Sequence, residues 1–120
     1  MFSAFLMCGA LLAPSRTVLA GFADVMDVKI VKTGADLYRI TVTVTHEDEG
    51  WDHYADRWDV LDEDGNLLGS RVLMHPHVEE QPFTRSLLLA LPMGVKRVVI
   101  RAHDKIHGLG GLEKSVDVPH

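Results

Sequence analysis

Six histidines are the residues most able to do chemistry, and they come in three pairs. His46 and His53 lie in "HEDEGWDHYADRW" (46–58), His75 and His77 in "HPHVEEQPF" (75–83), and His103 and His107 in "HDKIHGLGG" (103–111). Acids accompany each pair: Glu47, Asp48, Glu49 and Asp52, then Glu79 and Glu80, then Asp104. Neutral imidazole is the commonest metal ligand near neutral pH. Zn2+ takes three or four His, Asp or Glu donors, and Cu2+ prefers nitrogen-rich, tetragonal sets. His75 and His77 stand two apart, which puts both rings on one face of an extended chain. Pro76 between them stiffens the backbone and lowers the entropy cost of holding an ion. The candidate ligands are therefore His46, His75, His77 and His103, with Asp104 as a further ligand or as an acceptor behind one. His53, His107 and Glu79 are read as residues of the surrounding surface, and the acids 47–49 as solvated. Trp51, beside Tyr54 in a polar run, suggests a contact surface.

Other chemistries find no support. The sequence has no HExxH, no cysteine pair and no EF-hand loop. It has no phosphate loop and no dinucleotide fingerprint, and Ser86 and Thr84 lack the surroundings of a nucleophile. The expectation is a binding protein and not an enzyme.

The elements that must position these residues read as strands. "LYRITVTVTH" (37–46) alternates Tyr38, Ile40, Val42 and Val44 with polar partners, and its β-branched content is high. Further strands are expected over 24–32, 56–62, 67–75, 84–92, 95–103 and 112–119, with Met26, Val28 and Ile30 on one face of the first. Asp-Gly in "DEDGN" (62–66) supplies the positive φ of a hairpin turn. Seven strands in about 100 residues, with a turn signal every 8–12, is the pattern of an all-β, seven-stranded antiparallel immunoglobulin-like β-sandwich. Trp58, on the third strand, is expected to fill its centre.

That topology gathers the histidines. Antiparallel strands send alternate connections to opposite ends. "TGAD", "DEDGN" and "PMG" share one end and are short and plain. The three histidine-bearing connections share the other. The inward phase of the second strand continues to His46, which then points into the mouth of the sandwich toward Asp104. The competing interpretation is that His46 and Asp104 form a hydrogen-bonded pair tying the loops together without metal.

Residues 1–20, "MFSAFLMCGALLAPSRTVLA", contain no acid and carry an apolar run from Phe2 to Ala13. Val18-Leu19-Ala20 has the small residues that signal peptidase accepts. A secretory signal over 1–20, cut before Gly21, followed by one domain over 21–120, is the expected organisation, with a periplasmic or secreted destination. The apolar run is too short to span a membrane. Without Arg16 the remaining 11 Lys and Arg face 17 Asp and Glu, a net charge of −6. This argues against nucleic acid and anionic membrane as partners and is compatible with cations.

The last hairpin, "VVIRAHDKIHGLGGLEKSVDV" (98–118), resembles that of fibronectin type III domains through Ala102, Gly108, Gly110 and Ser115. The resemblance covers about a fifth of the chain and implies a fold, not an activity. The tryptophan those domains carry on the second strand is replaced here by Tyr38 or Ile40. "HPHVEEQPFTRSL" (75–87) resembles short exported bacterial proteins of unestablished role, which adds no chemistry. Two functions are expected on these grounds. One is an exported sandwich, monomer or weak dimer, that binds Cu or Zn at its histidine-rich end. The other is a non-catalytic module that docks on another exported protein, with the histidines holding its loops in shape.

Overall fold

Alternation decides the architecture. The computed structural model describes residues 21–120, so the signal segment expected over 1–20 lies outside the described residues. Tyr38, Ile40, Val42 and Val44 are buried while their neighbours face outward, and Val98, Ile100 and Ala102 do the same. Each such strand has one apolar face that must be covered by another sheet.

Seven strands among the described residues satisfy this requirement: β1 (Asp24–Lys32), β2 (Leu37–Thr45), β3 (Ala55–Leu61), β4 (Leu67–Val72), β5 (Phe83–Ala90), β6 (Arg97–Asp104) and β7 (Lys114–Asp117). One sheet has the order β1-β2-β5 and the other β4-β3-β6-β7, with every pairing antiparallel. The described residues contain no helix. The fold is the all-β, seven-stranded antiparallel sandwich that the turn spacing implies. Trp58 is fully buried among Ile40, Val42, Val60, Val98 and Ile100 in the shared core. Burying an aromatic of its size stabilises the fold by a few kcal/mol, at about 25 cal/mol per Å2 of apolar surface.

One strand departs from the simple alternation. Val25 pairs with Val44 but Asp27 with Thr43, so Met26 is the extra residue of a β-bulge. A bulge shifts the phase by one. Val25 is therefore buried on the same face as the partly buried Val28 and Ile30, and Met26, expected on that face, is 41% exposed.

The two ends of the sandwich differ as their sequences do. At the plain end, Asp62 accepts hydrogen bonds from the backbone N–H of Asp64 and Asn66 (2.9 and 2.8 Å), and Gly65 takes φ 87°. At the other end buried polar side chains, not apolar ones, close the mouth between the sheets: His46, Asp48, His77 and Asp104.

Candidate metal centre

The site begins where β2 ends. Its two-residue alternation continues past Thr45, so His46 and Asp48 are buried while Glu47 and Glu49 are exposed. On β6 the same rule turns Ala102 and Asp104 inward and leaves His103 on the outer face. A short reversal, with His53 N–H donating to the Gly50 carbonyl (3.2 Å), brings His53 over the mouth just before β3. The register of β3 against β6 pairs Ala55 with Asp104. Asp104 Oδ1 accepts the backbone N–H of Ile106 and His107, both at 2.7 Å, and this turn carries His107 to the same place.

Three imidazoles converge on one carboxylate. His46 Nε2 lies 3.6 Å from Asp104 Oδ2, His53 Nε2 3.4 Å from Asp104 Oδ1, and His107 Nδ1 3.4 Å from Asp104 Oδ2. Donor atoms of His46, His53 and Asp104 all lie within 4.8 Å of one another. His46 Nδ1–H donates to Asp48 Oδ1 at 2.5 Å, and His53 Nδ1–H to Glu49 Oε1 at 2.8 Å. A carboxylate can only accept, so it fixes the proton on Nδ1 and turns Nε2 inward. This is the arrangement by which carboxylates orient metal-ligating histidines. His53 Nε2 and Asp104 Oδ2 are buried and have no hydrogen-bond partner among the described residues. An unpartnered buried polar atom costs about 1–3 kcal/mol, and one cation at the convergence point would satisfy both. This His/Asp group can hold a metal ion.

The electrostatics follow from burial and neighbours. Burial alone would lower the pKa of His46. The hydrogen bond and charge of Asp48, with the charge of Asp104, outweigh it and hold the imidazole above its ordinary value. Its Nε2 faces two acceptors, Asp104 and the Gly21 carbonyl at 3.3 Å. A proton or a cation at Nε2 is therefore favoured by its surroundings. Burial would raise Asp48. Hydrogen bonds from His46 and from the backbone N–H of His77 and Ala55 hold it below the usual carboxylate range.

The other histidines stand apart from this group. His77 is buried with its ring stacked on Phe83 (centroids 4.1 Å, planes 11° apart), and its Nε2 accepts a hydrogen bond from the Arg85 guanidinium at 2.9 Å. That bond occupies the lone pair a metal would need. Burial and the Arg85 charge hold its pKa below the ordinary value. His75 is exposed, and its Nδ1–H donates to the Pro76 carbonyl at 3.2 Å. Its ring lies 4.8 Å from that of His77 but not with the other donors. His103 donates to Asp56 at 2.6 Å on the outside of the sheet. Glu79 is exposed. Trp51 is 64% exposed and meets Tyr54 edge-on at 5.8 Å. His53, expected to be part of the surface, lies within the convergent group, and so does Asp104.

Asp48 is the residue that sequence reasoning missed. Besides His46 and the N–H of Ala55 (3.0 Å), it accepts the N–H of His77 at 2.6 Å, which joins two of the three loops. Gln81 adds a second clip: its Oε1 accepts the N–H of His46 (3.0 Å) and its Nε2 donates to the His77 carbonyl (2.8 Å). The continued alternation Val44, His46, Asp48 was the available signal.

No family model matches the chain. It is 43% identical over 95 residues to a protein of Halomicrobium mukohataei named "Putative lipoprotein". That match takes in 79% of this chain and 47% of the other, so the chain spans about half the length of the curated relative it matches. Among solved structures it is similar to a superoxide reductase from Nanoarchaeum equitans, with a TM-score of 0.53 and 18% identity over 84% of this chain and 98% of that one. It is also similar to a hypothetical protein from Pyrococcus horikoshii OT3, with a TM-score of 0.51 and 17% identity over 80% and 89%. At such identities the likeness is one of fold. These neighbours are small β-fold proteins, and the seven-stranded sandwich expected from the sequence is consistent with them in general, without a particular likeness to fibronectin type III domains being shown. They also correct the expectation that the protein is not an enzyme, because the same fold serves a reductase.

Proposed function

We propose that the chain is an exported β-sandwich whose histidine-rich end binds a divalent transition metal, Zn2+ or Cu2+, through His46, His53 and Asp104, with His107 as a fourth donor. One observation carries this reading. Two buried, unpartnered polar atoms, His53 Nε2 and Asp104 Oδ2, face the same point as His46 Nε2, and both histidines are held from behind by carboxylates. Of the ligands expected from sequence, His46 and Asp104 stay in the set. His75, His77 and His103 leave it, because other groups hold their rings or they face elsewhere. Three imidazoles and a carboxylate would fill a tetrahedral Zn2+ site, whereas a tetragonal Cu2+ site would keep a further coordination position for a small molecule. Catalysis at such a position is compatible with the fold, since a superoxide reductase shares it. Export is supported by the leader-like residues 1–20 and by the name of the Halomicrobium mukohataei relative, "Putative lipoprotein".

Calorimetric titration of Zn2+ and Cu2+ into the purified protein tests this. One ion per chain is expected. His46→Ala/His53→Ala should weaken binding more than tenfold, and His75→Ala/His77→Ala should leave it unchanged. Equal affinity of wild type and the 46/53 variant would remove the proposal. Superoxide consumption by the Cu2+-loaded protein, compared with the metal-free protein, tests whether the open position does redox chemistry.

A further inference from the structure

We propose that the α-amino nitrogen of Gly21, freed when residues 1–20 are removed, is an additional donor to this metal, so that the centre is completed only in the processed chain. The inference rests on the metal reading above and adds a ligand to it.

Residues 21–23 form one wall of the centre. The Gly21 carbonyl oxygen lies 3.3 Å from His46 Nε2, the nitrogen that faces Asp104. Within one residue the amino nitrogen lies no more than about 3.6 Å from its own carbonyl oxygen at any ψ, given standard bond lengths and angles. The Gly21 nitrogen therefore stands within about 7 Å of His46 Nε2, and a Cβ on the same residue would lie 3.2 Å from His107 Nδ1, a second nitrogen of the centre.

The segment is built into its place. Gly21 has φ 85°, and a Cβ there would stand 2.7 Å from His107 Cε1, so only glycine lets the backbone pass this close to the ring. The Phe22 ring meets that of His107 at 5.3 Å. Phe22 also covers Gly110, where a Cβ would come within 2.6 Å of its ring. The Ala23 carbonyl crosses Gly111, where a Cβ would fall 2.0 Å from the oxygen. Leu112 N–H donates to Asp24 Oδ1 (2.7 Å) and Val25 N–H to the Leu112 carbonyl (2.9 Å). Two adjacent glycines thus clamp the segment against the 107–111 loop.

The junction expected for signal peptidase, after Val18-Leu19-Ala20, falls immediately before this residue. Hydrolysis of the Ala20–Gly21 amide consumes one water and leaves a carboxylate on Ala20 and an ammonium on Gly21. The ammonium gives up one proton to solvent when a cation binds, and the lone pair so freed bonds the ion. The peptide nitrogen of the uncut chain is a neutral amide whose lone pair is delocalised, and it is no such donor. No oxidation or reduction is involved.

Three forms of the protein test the idea: the full chain, the chain cut between Ala20 and Gly21, and the cut chain acetylated on Gly21. The cut form keeps the whole core, which runs from Ala23 to Val118. Cu2+ and Zn2+ are the probes, read by calorimetry, and for Cu2+ also by the nitrogen couplings in its electron paramagnetic resonance spectrum. The cut chain should bind at least tenfold more tightly than the other two and show one more coupled nitrogen. Equal affinity in all three, still lost in His46→Ala/His53→Ala, would overturn the role of the amine and leave the histidine centre standing. Absence of binding in every form would overturn both. Mass spectrometry showing that the exported protein begins elsewhere than Gly21 would also overturn this proposal.

Discussion

Replacing Asp48 tests how the loop end is held. Its side chain is fully buried and accepts three hydrogen bonds, from His46 Nδ1, the N–H of Ala55 and the N–H of His77. Asp48→Ala leaves two buried backbone donors without an acceptor, each costing about 1–3 kcal/mol, and strips His46 of the carboxylate that steadies its charge. Removing one partner of a buried charged pair typically costs about 3–5 kcal/mol, and that is the loss expected here. Small domains are stable by only about 5–15 kcal/mol, so the variant should lose about a fifth or more of its stability. Asp48→Asn keeps the volume and one acceptor oxygen but turns an NH2 toward another donor. Its loss should be smaller, about 2–3 kcal/mol by the same reasoning. Urea unfolding followed by the fluorescence of buried Trp58, in a Trp51→Phe background, measures both with the m-value unchanged. At about 4–8 °C per kcal/mol for a domain of this size, the alanine variant should melt roughly 12–40 °C lower. A cost below about 1 kcal/mol for Asp48→Ala would refute the view of Asp48 as the hub of this end. Metal affinity gives a second reading: loss of the acceptor behind His46 should weaken binding about 10–100-fold where the fold is intact.

Asp59 supplies the pH dependence. It is buried and accepts from Ser70 (2.7 Å), Arg57 (3.0 Å) and Arg101 (2.9 Å), and although burial opposes it these bonds hold its carboxyl below the usual range. A depressed pKa contributes stability above the unfolded value, about 3.9, that is lost as pH falls through the folded one. The stability gap between wild type and Asp59→Asn should therefore be widest above about pH 5 and narrow as pH falls below the unfolded carboxylate value. Gly111→Ala should destabilise by more than about 2 kcal/mol in chemical denaturation, because its Cβ meets backbone, the Ala23 carbonyl, which cannot move aside. Trp51→Ala should change stability by no more than about 0.5 kcal/mol, since the side chain is 64% exposed.

Strand phase was legible wherever two-residue alternation ran uninterrupted, and most of the sandwich follows from it. Tyr38, Ile40, Val42, Val44 and then His46 keep one phase, so the inward aim of His46 could be read directly. The same rule, applied to Val98, Ile100 and Ala102, turns His103 outward and Asp104 inward. Met26 was not legible, because a bulge changes phase without a marking residue type. Asp48 sits in an acidic run that resembles a solvated loop, and only continued alternation beyond the hydrogen-bonded strand separates it from Glu47 and Glu49. His75 and His77 have the spacing of a ligand pair, but Arg85 holds the His77 lone pair through packing that no local pattern encodes. His53 reaches the centre by a reversal at Gly50, whose geometry depends on the loops already in place.

The charge arrangement at this end gives the last prediction. Asp24, Asp48 and Asp104 are all buried there, Asp24 pairing with Thr45 at the end of β2. Among the buried side chains, His46 lies against Asp48 and Asp104. Desolvated carboxylates are costly unless positive charge or hydrogen bonds compensate. Asp48 has three such bonds, but Asp24 Oδ2 and Asp104 Oδ2 have none. A divalent cation between the imidazoles and Asp104 would offset this excess only in the folded state, because the unfolded chain does not bring the donors together. Mass action then stabilises the native protein by about 2.7 kcal/mol at a free metal concentration 100 times Kd. Thermal unfolding in graded metal, buffered against a chelator, should show Tm rising with the logarithm of free metal. His46→Ala/His53→Ala should flatten that slope, whereas His75→Ala/His77→Ala should preserve it. A wild-type Tm independent of both metal and chelator would mean that hydrogen bonding alone balances these carboxylates.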